Sequence, residues 1–566
     1  MSNSKSVAIK INQDKLLANL QFSFSNKTTL LGELMQNSRR AGATSVSLES
    51  LDETTLRISD DGKGIDDFQN LFSVAESGWD AETVRTERPF GMGFLSCLYQ
   101  AENIHIESNG QFIEGKTSEI LAGGVLDVKD LADKKDATYT IVTLFNFKLS
   151  KEDVVAALRK LAEGFAIPVF YNGDKLLSRH ALDTVIGDFI EVPGVGHISA
   201  RKYLNTQYVS FGMHQNLTIY LQGLPVFDDR RWNKNEIDIV HLDPMLHFAR
   251  MPDRDKLINE KEVLEQIKSA INQIHLNRLL KLKADLTPEE FATKQMAGYA
   301  LSIEGGIDVL SEKDVRLSNY FYGQVDSVQP SCWGDHDCVE KDETELSVSY
   351  EEVASGEVNL CDAVQMNSWD EDNNCPAAWI FARKMGWPMI EGFGHTAKVD
   401  LLAKHWVTPL LHVLNNDNIK VQTNGAGKKG NIDMDYWSCA IELCDSYTIT
   451  YTAADGKDYV CEVNNEAVYT KDGVLLVPAN AHDFGSSAVL QGSSYNDNND
   501  FDEETHSKDA NALNLYVNML RSGDELSSLQ ALLNSVSLGE YREFIGNKYE
   551  LTLDKNCRVV LAKIAA

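Results

Sequence analysis

The sequence predicts an α+β fold, and three observations carry that reading. Residues Asn26 to Ala41 place Leu30, Leu31, Leu34 and Met35 at helical spacing, and two alternating runs, "SVSLESL" and "TTLRISD", follow at once. Helical and strand-like segments go on interleaving to about residue 150, an order that suits a two-layer α/β sandwich with helices on one face. The same mixture returns in two later regions. The expected domains are residues 1–160, 161–285 and 286–566, the second a smaller α/β unit and the third mixed α/β of unknown fold.

Taken in order, the first helix has Asn26 and Thr28 as caps, and "DDGKG" ends the second strand. A helix is expected from about Asp67 to Ala75, a polar stretch from Glu76 to Pro89, and a helix from Gly91 to Gln100. Strands at "NIHIES" and "TYTIVTLF" complete this unit. In the second, "FIEVPG", "YVSFGM" and "LTIYLQGLPVF" read as strands, and a helix is expected from about Glu260 to Ile274. "LTPEE" has the proline and paired acids of a helix start. Beyond 300, "SYTITYTA" reads as a strand, "AKVDLLAKHWVTPLLHVL" as helical, and "QGSSYNDNNDFDEETHSKDA" as a loop or linker.

Composition narrows the function. The net charge of −31 is uneven: Leu301 to Ala566 carries 43 acidic and 19 basic residues, so the first 300 carry only a small excess of acid. Such a field repels phosphate backbones and disfavours direct nucleic-acid binding by the C-terminal half. No run approaches the ~18 apolar residues of a membrane span, and "MSNSKSVAIKINQDK" lacks the apolar core of a secretory signal, so a cytoplasmic protein with no membrane role is expected. Nine scattered cysteines predict mostly reduced thiols. Cys332, His336, Cys338, Cys361 and Cys375 lie near one another in sequence, but without a repeated CxxC pair they do not read as zinc ligands.

Three short motifs carry the chemistry. Glu33 and Asn37 are four residues apart and so project from one helical face; there a carboxylate orients or deprotonates water while an amide oxygen contributes to a hard cation such as magnesium. Asp60 ends a strand before Gly62 and Gly64, whose lack of side chains allows close approach of a ligand, and an ionised Asp60 accepts from an exocyclic amine such as that of adenine. Gly91 and Gly93 in "RPFGMGFLS" precede a helix start, where amides and dipole favour an anion. Each alone also reads as an ordinary helix face or turn. The ordered set within about 65 residues is the stronger signal.

That set resembles the GHKL superfamily, whose ATP-binding unit is the Bergerat fold and which includes the ninety-kilodalton heat-shock chaperones, MutL, gyrase B subunits, MORC proteins and histidine kinases. "FGMGFLS" and "LFSVAESGWD" look most like the heat-shock chaperones, whereas "AGATSVSL" and the short distance from Glu33 to Asp60 look more like MutL. The resemblance implies ATP and Mg2+ as cofactors. It implies Glu33 as the base that activates water, Asn37 as the magnesium ligand, and Asp60 as the reader of the adenine amine, with Gly62 and Gly64 shaping that wall. Gly91, Met92, Gly93 and Phe94 would wrap the phosphates, Thr140 would support Asp60 through a water, and residues 76–88 would form a lid. Over about 14–280 the likeness extends to a transducer loop, "HLDPMLHFARMPDRDKLI", from which Lys256, or else Arg254, would reach the γ-phosphate.

One departure is the Arg39-Arg40 pair, where several relatives have an acid; it reads as cover for the helix surface, with phosphate binding as the alternative. The implied activity is a magnesium-dependent ATPase working as a conformational switch, with lid closure and an ATP-state homodimer. Three roles stay open: a chaperone-like or assembly ATPase acting on a protein client through the acidic half, a MutL- or MORC-like DNA-transaction ATPase, and a nucleotide-sensing module of viral or defence origin with little turnover.

Overall fold

In the computed structural model the described residues are 8, 12–24, 26–74, 76, 78–89, 91–132, 138–183, 189–201, 216–230, 237–251, 254–318, 323–324, 347–362, 375–391, 405–425, 427–433, 438–482, 503–524, 526, 529–530, 546–555 and 559–564. They divide into two compact units, Met1–Lys281 with Ser302–Glu304, and Leu282–Leu301 with Gly305–Ala566.

The first unit is built around α2 (Thr29–Arg40), which follows a short α1 (Gln13–Leu20). Asn26 accepts from the amide and hydroxyl of Thr28, fixing the turn into α2, while Thr28 itself makes no side-chain cap. Leu30, Leu31 and Met35 are fully buried. Beneath them runs an eight-stranded sheet of β1 (Val46–Ser50), β2 (Leu56–Asp60), β3 (Asn103–Ser108), β4 (Gln111–Lys116), β5 (Lys129–Asp130), β6 (Thr140–Phe145), β7 (Val169–Tyr171) and β8 (Asp174–Lys175). Its order is β5-β4-β3-β6-β2-β1-β7-β8, with β1 and β7 parallel and the other pairs antiparallel.

Alternation decides which face is covered. Val46, Leu48, Leu56, Ile58, Ile104, Ile106, Val142 and Leu144 are buried on one face and join α2, α4 (Leu95–Gln100) and α6 (Lys151–Ala162) in a single core. This is the two-layer α+β arrangement expected from the pattern. Leu48 is fully buried in it, so Leu48→Ala should cost about 2–5 kcal/mol, read as an earlier thermal unfolding transition of this unit.

Several boundaries differ from the sequence reading. The expected 67–75 helix is only a 3₁₀ turn, Phe68–Leu71, because Asp67 caps it and Phe68 alone of its residues is buried. The polar 76–89 stretch contains α3 (Ala81–Glu87), started by Asp80, whose side chain accepts from the Thr83 amide. α4 begins at Leu95 rather than Gly91, since Gly91 holds a left-handed φ of 68° that a helix excludes. α5 (Thr117–Leu121) follows β4.

A second sheet in the same unit has the order β12-β11-β13-β10-β9, from β9 (Ile190–Val192), β10 (Gly196–Ser199), β11 (Leu217–Leu221), β12 (Leu224–Asp228) and β13 (Asp238–Leu242). "LTIYLQGLPVF" is thus a hairpin, turned at Gln222 and Gly223, both with positive φ. "YVSFGM" lies outside the described residues. Val263, Ile267, Ile271 and Ile274 seat α7 (Glu260–Asp285) on this sheet, and the helix continues eleven residues past the expected end at Ile274. Leu224 also packs within the first core, so the second sheet covers the side of α2 that carries Gly32.

In the second unit, Thr287 and Glu290 form a capping box with Pro288 in the first turn, as "LTPEE" suggested. Helix Pro376–Met385 buries Ala378, Ile380 and Phe381 against Tyr447, Ile449 and Tyr451 of strand Ser446–Thr452. The helical reading of 397–414 does not hold where it is described: residues 405–414 contain only a 3₁₀ turn at Thr408–Leu410, carrying Pro409, and strand His412–Val413. The loop expected up to residue 510 is helical from Glu503 to Ser522, because Ala510, Leu513 and Val517 form an apolar stripe on the sheet containing Cys439 and Ile441. Cys332, His336 and Cys338 lie outside the described residues. Six described cysteines are unpaired, Cys361 and Cys375 among them; among the described residues no group of three His, Cys, Asp or Glu is placed to hold a metal ion, and no helix is long and apolar enough to cross a membrane.

Candidate functional site

The register of three neighbouring strands places one end of the site. Asp60 pairs with Thr140 on β6, and Thr140 pairs with Ser108 on β3, so the three form a polar row across the sheet on the face that elsewhere holds Ile58, Val142 and Ile106. The Ser38 hydroxyl, one helical turn beyond Leu34, donates to Asp60 Oδ2 at 2.9 Å, and the Gly62 amide donates to Oδ1 at 3.0 Å. Burial raises the Asp60 carboxyl above its ordinary value, and these two donors offset only part of that rise. Asp61 turns the other way and binds the amides of Thr44 and Ser45, which ties the turn to the exit of α2. Gly64 continues that turn at positive φ beside Asn109, whose amide donates to the Lys63 carbonyl.

The other end of the site lies on α2 and the glycine loop. Glu33 is 6% exposed, although the spacing alone allowed a solvated face. A Cβ on Gly93 would stand 2.2 Å from Glu33 Oε2, and one on Gly91 would stand 2.2 Å from the Glu76 carbonyl. Those two positions admit only glycine if Glu33 and Glu76 keep their places. Met92 packs at the margin of the core and Phe94 lies inside it, its ring edge-on to Phe72 at 5.7 Å. Phe94 therefore offers the site its backbone and not its ring.

A cavity of about 230 Å³ lies where α2 meets α6 and β12; Glu33, Thr28, Thr29, Lys160 and Arg254 line it, and neither Asp60 nor Asn37 does. Glu33 thus borders both this hollow and the glycine loop.

Arg254 is the cation beside Glu33, with Nε 2.9 Å from Oε1, while Lys256 is exposed. That Nε–H is not aimed along a hydrogen bond, so the contact is an ion pair in the strict sense. Arg254 also donates through Nη1 to Gln222 Oε1 at 3.2 Å. Gln222 is held at φ 54° by the β11–β12 turn; its amide donates to the Glu87 carbonyl, and its own carbonyl accepts from Gln36.

The Arg39-Arg40 pair does not simply cover the helix. Arg40 has a side chain only 1% exposed, and its Nε lies 2.8 Å from Glu87 Oε2; Arg39 Nη2 reaches the same oxygen at 2.5 Å. Arg40 Nη1 makes a long contact, 3.4 Å, with Asn37 Oδ1. Burial and the charge of Arg254 lower the Arg40 pKa from its ordinary value, with Glu87 and Glu33 opposing that shift. Burial acts to raise the Glu87 carboxyl, but the two guanidiniums outweigh it and hold the group below its usual value.

Chemically, the arrangement offers a half-buried acceptor at one end, a carboxylate against an open backbone loop at the other, and a cluster of guanidiniums beside both Glu33 and Asn37. Sequence spacing singled out Glu33, Asn37, Asp60 and the glycines as candidates. It missed Ser38, Ser108, Gln222 and Glu87; only Ser38, one position from Asn37 on the same helix, had a local signal.

Residues 25–156 match the family model described as histidine kinase-, DNA gyrase B-, and HSP90-like ATPase. No curated protein matches the chain.

Proposed function

From the GHKL-type ATPase domain that residues 25–156 form, we propose that this chain is a magnesium-dependent ATP hydrolase in which nucleotide binding drives a conformational switch. The observation that carries the reading is convergence on α2: Glu33 lies against Gly93, and Ser38 holds Asp60, so three motifs spread over about 65 residues address one helix. Asp60 accepts from the adenine amine, and Thr140 and Ser108 continue that polar row. The glycine loop presents backbone to the phosphates.

Glu33 takes the proton of the attacking water and holds that water in line. Asn37 Oδ1 fits a magnesium ligand, because this ion needs only one or two protein oxygens when phosphates complete its shell. Bound there, magnesium would neutralise charge on the phosphates. To serve it, the Asn37 oxygen must give up its long contact with Arg40. Arg254 acts as the cation contributed by the second sheet's side; its ion pair with Glu33 supports it over Lys256, which is exposed.

The wider role is an assembly or chaperone-like switch on a protein client, with the ATP state dimeric. Its support is the acidic second half, whose field opposes a DNA backbone. Phosphate release from ATP by the full chain, measured with and without magnesium and with and without duplex DNA, tests this. Magnesium-dependent turnover unaffected by DNA is expected; strong stimulation by DNA would move the role to DNA transactions.

A further inference from the structure

Resting on the ATP-site reading, we propose that Arg40 is a phosphate-binding residue of this chain, and that Glu87 occupies its guanidinium as an internal substitute for phosphate until a polyphosphate displaces it.

The geometry is that of an occupied anion site. Two guanidiniums converge on a single oxygen, Oε2 of Glu87, at 2.5 and 2.8 Å. Guanidinium forks suit phosphate as well as carboxylate, and a polyphosphate brings more charge and more acceptors than one carboxylate does. Arg40 has unused capacity for them: its Nη2 is buried and makes no hydrogen bond, in a side chain 1% exposed. Its Nη1 already lies at Asn37, on the helix face that Glu33 shares. Around this point stand three guanidiniums, those of Arg39, Arg40 and Arg254, against the carboxylates of Glu87 and Glu33. Three part-buried guanidiniums against two carboxylates favour an incoming anion.

The exchange has a structural consequence. Glu87 is the last residue of α3, and the next, Arg88, holds a left-handed φ of 48° and lies over the Phe248 ring at 4.3 Å. The Glu87 carbonyl accepts from Gln222, which also binds Arg254. Displacing Glu87 from Arg39 and Arg40 therefore frees α3 and loosens the Gln222 link through which Arg254 is held. One ligand event reaches both α3 and the second sheet.

The test uses the full chain, inorganic tripolyphosphate with magnesium, and adenosine as a separate probe. Calorimetry reads affinity, and amide hydrogen exchange reads opening of 81–87. Tripolyphosphate should speed exchange at 81–87 in the wild type. Glu87→Gln should bind it several-fold more tightly with exchange already fast, and Arg40→Gln at least tenfold more weakly with adenosine affinity unchanged. Should Arg40→Gln fail to fold, Arg40→Lys decides, with several-fold weaker binding expected because the fork is lost. Wild-type affinity for tripolyphosphate in the folded Arg40 variant, or exchange at 81–87 that ignores tripolyphosphate, would overturn the proposal. Adenosine binding alongside either result leaves the ATP-site reading standing; tripolyphosphate opening 81–87 without any adenosine binding supports the exchange and sinks that reading instead.

Discussion

Glu33→Gln should leave ATP binding close to wild type and lower turnover by about 10²–10⁴-fold, the range that a positioned general base supplies. The amide matches the carboxylate in size, so the contact with Gly93 is kept while the capacity to take a proton is lost. The variant also loses the charge that faces Arg254. Nucleotide affinity should not fall with it, since the phosphates bring replacement charge for that guanidinium. Single-turnover hydrolysis and equilibrium binding, measured on the same preparation, separate the two effects. Turnover within a few-fold of wild type would remove Glu33 from the chemistry.

Asp60→Asn should weaken adenine nucleotide and adenosine alike, by about 10–100-fold, the cost of leaving one or more buried polar groups unmatched. The native carboxylate has two oxygens, and Ser38 and Gly62 each donate to one of them while lone pairs remain for a ligand amine. Asparagine has a single acceptor oxygen, and its NH₂ would face either a donor of the protein or the amine of the base. Tripolyphosphate binding should be unaffected, which distinguishes an adenine contact from general loss of structure.

The same residue sets a pH dependence. The Asp60 carboxyl is held above its ordinary value of 3.8 by burial. Because only the ionised form accepts from the amine with both oxygens, affinity is complete above the raised pKa and falls as the pH drops through it, at a higher pH than a free aspartate would give. For the unliganded fold the sign is opposite. A raised pKa means that the native state holds the proton more tightly than the unfolded chain, so this contribution to stability is present at low pH and is lost as pH rises through the folded pKa.

Much of this candidate site was legible in local spacing, because its motifs are short and contiguous. Glu33 and Asn37 needed only the helical repeat, Asp60 only a strand end before glycines, and Leu48 or Ile58 only alternation. Partners brought from far along the chain left no such trace. Glu87 lies 47 residues from Arg40, and Gln222 lies 186 residues from Gln36, so nothing in the sequence around Arg40 reports that its charge is buried and paired. The same holds for Arg254 over Lys256: both sit in one loop, and only the fold decides which faces Glu33. Helix ends failed for a local reason, since a positive φ at Gly91 stops what apolar spacing would continue. Helix Glu503–Ser522 failed for the reverse one, its polar composition concealing the stripe of Ala510, Leu513 and Val517.

A crystal structure of the full chain with magnesium and a non-hydrolysable ATP analogue tests the central claim most directly. The adenine amine should lie within about 3 Å of an Asp60 oxygen, the normal range for a hydrogen bond. In the same structure Asn37 should reach the metal, and the γ-phosphate should lie beside Glu33 and the Gly91–Phe94 loop that packs against it. Nucleotide bound elsewhere on the chain, or an adenine that does not face Asp60, would contradict the account.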